Sequence, residues 1–331
     1  MNNNNTILRN IDVAKRIAIF SHFVPDADAL CGSIALKKLI KNNYDGKIVD
    51  LFFDGEIGGL YEHILRDEVV NPTPLQRYDM AFVLDCPNIA RIGKYKELCE
   101  GIHEIFNIDH HATNEKFGTY NCIAPKCSST CEIVYSIAKA NGLEFDNEIA
   151  KLLYQGLLTD TNCFTSYNIW SKTHKVASEL MQYKFDYKKI QSYYQQASKA
   201  KTALRKEALD NLEYCVDDKL VITQIAYECL MSNDAKYEDT FGIVDEIKRT
   251  AGSIISAILI ERHKEDVYVS MRGDGQVNIG EIAKANSGGG SQNLGAYQAK
   301  DELPNVKDRL VEQLTPILED LSPQDKEDML Y

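Results

Sequence analysis

The chain has 331 residues, 44% of them hydrophobic and 26% charged, the balance of a soluble globular protein of about two domains. A net charge of −12 argues against a long duplex nucleic acid as partner, because such binding is driven by basic surface, but leaves room for a small phosphorylated ligand held through a metal. No apolar run approaches the ~18 residues that span a bilayer, and Met1 to Asn5 has neither the basic nor the apolar region of a signal peptide, so a cytoplasmic protein without membrane contact is expected.

The run Ile17-Ala18-Ile19-Phe20 is short, apolar and aromatic at its end, as in a buried parallel strand. Residues 34–39 have helical character, so Ser21 to Ser33 reads as the loop between a strand and a helix. That loop sets one imidazole, His22, beside two carboxylates, Asp26 and Asp28. Two residues apart in an extended segment, the two carboxylates would point the same way. Hard divalent cations want clustered oxygen ligands, and manganese also accepts imidazole.

Further strands are predicted at residues 47–53, at 80–84 ending in Asp85, and at 104–108 ending in Asp109-His110-His111. Residues 129–139 and 148–158 read as helices, the second running into Thr159-Asp160-Thr161. Ser129 and Thr130 open the first of these helices and are read as N-cap residues. Strands alternating with helices predict an α/β fold, a doubly wound and mostly parallel sheet. In such sheets the functional loops gather at one edge, so chain-distant acidic and histidine clusters can meet there.

Residues 172–214 look helical and rich in tyrosine, with the connection between domains at about 185–215. Beyond 216 the texture changes. Strands are predicted at 220–225, 253–261 and 267–271, the last two joined by a turn at His263 to Asp266. In the last strand Val267, Val269 and Met271 share one face, and Tyr268, Ser270 and Arg272 the other. Helices are predicted at 241–250 and 279–285. The second is followed by Asn286-Ser287-Gly288-Gly289-Gly290-Ser291, and the acidic stretch from Glu319 to Tyr331 reads as a solvated tail. The nine cysteines are scattered and lack the paired spacing of a zinc site, so they are expected to be reduced and mostly buried. His63, His103, His174 and His263 fall in no motif and are expected to be structural or surface residues.

Several stretches together carry a resemblance. They are His22-x-x-Pro25-Asp26-x-Asp28-Ala29-x-x-Gly32-Ser33, Asp85 at a strand end, Asp109-His110-His111, and Gly156-Leu157-Leu158-Thr159-Asp160-Thr161. In that order they are similar to the motifs of the DHH phosphoesterase superfamily. Ser270-Met271-Arg272 and the later glycines resemble its DHH-associated domain. The resemblance covers about residues 12–300 and is nearest to the small oligoribonuclease and phosphoadenosine-phosphate phosphatase group, the nanoRNases. It implies a catalytic domain at 1–190 with a binuclear metal site, a helical connector at 191–215, and a smaller α/β substrate-binding domain at 216–331.

It also implies roles. His22 and Asp26 would hold one manganese; Asp28, His110 and Asp160 would hold the other, and Asp85 would bridge them. Magnesium or cobalt could stand in for manganese. Asp109 and His111 would orient ligands and phosphate, and are the residues expected to act catalytically beside the metals. Arg272 and the amides of Gly288, Gly289 and Gly290 would hold a second phosphate, with Ser291 where the family usually has histidine. The implied reaction is hydrolysis, by metal-activated water, of short oligonucleotides or small nucleotides, with a cleft between the domains selecting length; a homodimer is one arrangement it allows. Cyclic-di-AMP phosphodiesterase activity is the alternative within the class, and a non-catalytic nucleotide-binding protein the alternative outside it. The basic Arg-Lys-type motif of family II inorganic pyrophosphatases is not found here.

Overall fold

The computed structural model describes residues 3–57, 59–166 and 168–321. The chain divides into two compact units, Met1–Gln196 and Ala197–Tyr331. The first unit contains α1 (Asn3–Val13), β1 (Arg16–Ser21), α2 (Ala27–Asn43), β2 (Ile48–Phe52), β3 (Met80–Leu84), α3 (Lys96–Glu100), β4 (Ile105–Asp109), β5 (Tyr120–Ile123), α4 (Thr130–Ala140), α5 (Asn147–Asp160), α6 (Ser171–Leu180) and α7 (Tyr187–Gln195). Its five strands all pair in parallel, in the order β2-β1-β3-β4-β5.

Each central strand is apolar on both faces because both are covered. Ile17 and Ile19 of β1 join the core under α1, α2, α4 and α5, while Ala18 and Phe20 join a second core with Phe52, Val83 and Ile92. This is the doubly wound arrangement expected from the alternating runs. The chain leaves β1 for one edge, β2, and later returns to β3 on its other side. The order therefore reverses between β1 and β3, where ligands bind in open α/β sheets, outside the carboxyl ends of the strands.

One expectation is corrected at this point. Asp28 does not share an extended segment with Asp26, since α2 begins at Ala27. Asp26 is its N-cap, with Oδ1 accepting from the Ala29 amide at 3.0 Å, and Asp28 lies in its first turn. The capping bond outweighs the turn tendency of Pro25-Asp26 and starts the helix seven residues before its apolar run.

The second unit contains α8 (Lys199–Asp210), β6 (Glu213–Cys215), β7 (Leu220–Ile225), α9 (Tyr227–Ser232), α10 (Ile243–Ile247), β8 (Ile255–His263), β9 (Asp266–Gly273), α11 (Ile279–Ala285), β10 (Gly289–Gly290), β11 (Leu294–Ala299) and α12 (Leu303–Glu319). Its sheet runs β10-β11-β9-β8-β7-β6 and is mixed, with β7 and β8 parallel and the other pairs antiparallel. Val267, Val269 and Met271 are buried against α11 and α12, as the alternation predicts.

The helix expected at 241–250 is shorter. A 3-10 turn (Tyr237–Thr240) and Gly242 at φ +86° precede it. Helix α12 was not predicted; Leu303, Val306, Leu310, Leu314 and Leu318 line its buried side. Of the expected acidic tail, residues 322–331 lie outside the described residues. Among the described residues no helix is long and apolar enough to cross a membrane.

Candidate metal centre

His22 follows β1, Asp85 follows β3, Asp109 ends β4 with His110 and His111 behind it, and Asp160 ends α5. All converge at the carboxyl edge of the first sheet. Two groups of ligand atoms each lie within 4.8 Å of one another: His22, Asp26 and Asp85, and Asp28, His110 and Asp160. Asp85 stands between them. Its Oδ2 is 3.6 Å from His22 Nε2 and its Oδ1 is 3.4 Å from His110 Nε2, which is itself 3.5 Å from Asp160 Oδ2. A third group, Asp85, His110 and His111, overlaps the second.

The backbone sets these positions. Asp85 is in the left-handed region, φ +56°, which turns its carboxylate back over the strand ends; aspartate adopts that conformation at less cost than most residues. His22 Nδ1–H donates to the Phe23 carbonyl at 3.0 Å, so Nε2 is the nitrogen facing the carboxylates. Asp28 is gripped by the amino end of α4, its two oxygens accepting from the amides of Thr130 (2.6 Å) and Cys131 (3.0 Å). Gly156 of α5 lies against it, and a Cβ there would meet Cys131 Sγ and sit 2.9 Å from Asp28 Oδ1.

Asp109 is wholly buried. Its oxygens accept from His111 Nδ1 at 2.7 Å and Asn114 Nδ2 at 2.6 Å, and Asn114 Nδ2 also lies 2.8 Å from Asn107 Oδ1. Asp109 is therefore closed to the outside and bonded to the ring of His111. The His111 side chain is 42% exposed, so of the two residues expected to act beside the metals it alone is open to the outside.

The electrostatics fit cations. Burial first, and then the charges of Asp85 and Asp26, push the Asp28 carboxyl up to about 8. Burial, with the charges of Asp28, Asp85 and Asp26, pushes Asp160 well above the carboxylate range. Burial works against ionised Asp85 too, but the hydrogen bond from His22 and the charges of His110, His111 and His22 hold it below that range. For His22 and His111 burial favours the neutral ring, yet the carboxylates at Asp85, Asp26 and Asp109 raise both.

A pair of like charges ~4 Å apart costs about 4 kcal/mol at an effective dielectric near 20. The imidazoles cannot compensate every such pair among Asp26, Asp28, Asp85 and Asp160, whereas divalent cations reverse the sign of each. Asp160 Oδ2 is buried without a hydrogen-bond partner, as a ligand oxygen aimed at a cation would be.

In the second unit, Arg272 is on β9 and pairs with Asp245 of α10, Nε to Oδ1 at 2.7 Å and Nη2 to Oδ2 at 3.3 Å. Sequence reasoning missed Asp245, which is 27 residues away with no motif to mark it. The expected use of three glycine amides is corrected for one of them, because the Gly288 N–H already donates to Ala283 O at 2.8 Å. A side chain at Gly288 would strike Ala296 O, and one at Gly290 Leu294 O, so close strand pairing explains both glycines. Gly289 has open space around its Cβ position, and Ser291 is exposed. The Ser291 N–H is taken by Leu294 O at 2.7 Å.

A parallel α/β sheet with clustered carboxylates and imidazoles at its switch point defines the class, a metal-dependent α/β enzyme centre. Residues 16–157 match the DHH family, N-terminal domain, and residues 217–320 the DHHA1 domain. The chain belongs to the DHH phosphoesterase family, which are hydrolases. It is 29% identical over 294 residues to a probable bifunctional oligoribonuclease and PAP phosphatase, NrnA, of Streptococcus mutans, covering 86% of this chain and 90% of that protein. To the bifunctional oligoribonuclease and PAP phosphatase NrnA of Thermus thermophilus it is 26% identical, over 83% of this chain and 81% of the relative. The fold matches that of an exopolyphosphatase-related protein from Bacteroides fragilis, with TM-score 0.86 and 22% identity, over 96% of this chain and 97% of that one.

Proposed function

We propose that this chain is a manganese-dependent phosphoesterase that hydrolyses short oligonucleotides and small nucleotides such as 3′-phosphoadenosine 5′-phosphate. The observation that carries the reading is Asp85, whose two oxygens face two separate ligand groups at 3.4 and 3.6 Å. In this reading His22 and Asp26 hold one divalent cation, Asp28, His110 and Asp160 a second, and Asp85 both. Manganese suits a site of mixed oxygen and imidazole donors, with magnesium or cobalt as substitutes. When bound, such a pair of cations lowers the pKa of water and neutralises charge on the attacking and leaving oxygens.

The rest falls to the protein. Asp109 fixes the ring of His111, so that the exposed side of the imidazole meets a non-bridging phosphate oxygen as a hydrogen-bond donor. Burial favours the neutral ring of His111, while the hydrogen bond to Asp109 and then the charge of Asp85 raise it above a free imidazole. Arg272, with Gly289 and Ser291 nearby in the chain, supplies the second phosphate contact. The relatives of matching length are named for oligoribonuclease and PAP phosphatase activity, which favours these substrates. The cyclic-di-AMP phosphodiesterase GdpP of Bacillus subtilis is 25% identical over 86% of this chain, but this chain covers only 45% of it, so cyclic-di-AMP is the second candidate.

The test is a substrate panel with manganese: a dinucleotide, 3′-phosphoadenosine 5′-phosphate, cyclic-di-AMP, and a long single strand. Turnover of the first two, lost with a chelator and restored by manganese, is expected. Equal turnover of the long strand would contradict the short-substrate reading, since long strands need a basic track. No turnover of any member would leave the non-catalytic reading.

A further inference from the structure

Thr130 is wholly buried and touches two of the four clustered carboxylates. Its amide donates to Asp28 Oδ2 at 2.6 Å, and its hydroxyl lies 2.9 Å from Asp85 Oδ1. The hydroxyl is the donor and the carboxylate oxygen the acceptor. The helix cap does not need that hydroxyl. Ser129 is the N-cap, accepting from the Glu132 amide at 3.1 Å.

Asp85 needs a hold of this kind. It sits on a left-handed turn, and its carboxylate can rotate about its own side-chain bonds. Its Oδ1 is turned toward His110 and its Oδ2 toward His22. The Thr130 hydroxyl engages Oδ1 alone.

We propose that Thr130 is a positioning residue that fixes the rotation of Asp85, so that each carboxylate oxygen is committed to one of two cations. The inference rests on the two-cation reading above. In the same residue the amide fixes Asp28, so one turn of α4 sets the relation of a terminal ligand to the shared one. Groups that orient metal ligands cost about tenfold to a hundredfold in metal affinity when removed.

The experiment is a manganese titration of the whole chain, followed by electron paramagnetic resonance. Wild-type protein should bind two ions per chain, with the exchange-coupled spectrum of ions ~3.5–4 Å apart. Thr130→Val keeps the shape and the amide and removes the hydroxyl. It should bind at least one ion about tenfold more weakly and lose the coupled spectrum. Thr130→Ser keeps the hydroxyl and removes the methyl, which packs toward Gly32; it should retain both ions and the coupling. If Thr130→Val does not fold, Thr130→Ser against Thr130→Ala isolates the same hydroxyl. Wild-type affinity and coupling in Thr130→Val, or in Thr130→Ala should Val not fold, would overturn the proposal. So would a Ser variant as impaired as the variant lacking the hydroxyl, because the methyl's packing would then be what matters. Wild-type protein binding fewer than two ions would remove the two-cation reading itself, visible before any variant is made.

Discussion

The two units treat their polar groups in opposite ways. In the first, most of the clustered side chains are gripped from behind: Asp26 by the Ala29 amide, Asp28 by two amides of α4, His22 by the Phe23 carbonyl, Asp85 by Thr130. Their remaining atoms converge with nothing of opposite charge in sufficient number. In the second, Arg272 is already paired with Asp245, and the Gly288 and Ser291 amides are already bonded. One end is preorganised for cations of fixed geometry. In the proposed reading, a ligand at Arg272 of the other would have to compete with Asp245. Substitutions should therefore act nearly all-or-none in the first unit and by degrees in the second.

Asp85→Asn should have the largest effect. It keeps the shape and removes the shared charge. Manganese-dependent turnover should fall by more than about a hundredfold, the upper end of what a group merely supporting a ligand costs. Circular dichroism and thermal melting should show the fold retained. Activity within a few-fold of wild type would mean that another carboxylate is shared and that the first unit is not all-or-none.

Gly156→Ala comes next. The added methyl has to displace Cys131 or Asp28, and overpacking of this kind costs about 1–3 kcal/mol. Denaturant unfolding should show that loss, together with weaker manganese binding. A stability loss without any change in metal affinity would show Asp28 to be less tightly tied to α5 than its contacts suggest.

In the second unit Arg272→Ala should raise KM strongly, with kcat changed much less. Asp245→Asn sharpens the comparison, because it leaves an oxygen to orient Arg272 but frees its charge. A charge-assisted bond exceeds a neutral one by about 1 kcal/mol, so KM should fall by about fivefold. If Asp245→Asn raised KM as Arg272→Ala does, Asp245 would be positioning the guanidinium rather than competing for it. Ser291→His should have the smallest effect. The imidazole adds a donor that is partly charged near neutral pH, lowering KM for phosphate-rich substrates with little change in kcat. Unchanged KM would place Ser291 outside the contact.

Four of the five strands of the first unit, with the residues at their ends, were legible because apolar runs bounded by Asp and His are local signals. So was the face alternation of β9. Strand β5, four half-buried residues of mixed character, was not. What stayed hidden depends on the backbone or on distance. The donors that hold Asp28 are amides, which carry no residue identity, and the Thr130 hydroxyl looked like a second cap beside Ser129. Asp245 meets Arg272 only through packing of α10 on the sheet. The periodic Leu303, Val306, Leu310, Leu314 and Leu318 of α12 were obscured by Pro304 and Pro316, one at the helix start where proline is tolerated and one near its end.

The cysteines beside the centre bear on which metals it accepts. Cys31 and Cys131 lie close to Asp28, and the Cys131 thiol is 3.5 Å from the Asp28 carbonyl oxygen. Burial first, and then the neighbouring carboxylates, push both thiols well above their ordinary range, so both stay protonated. Metals are bound by thiolate rather than thiol. A metal that took sulfur there would have to displace a proton from a buried thiol, and the burial and carboxylates around both cysteines work against that step. In the proposed centre, the apolar packing that builds the floor of the site therefore weighs toward oxygen and imidazole donors over sulfur.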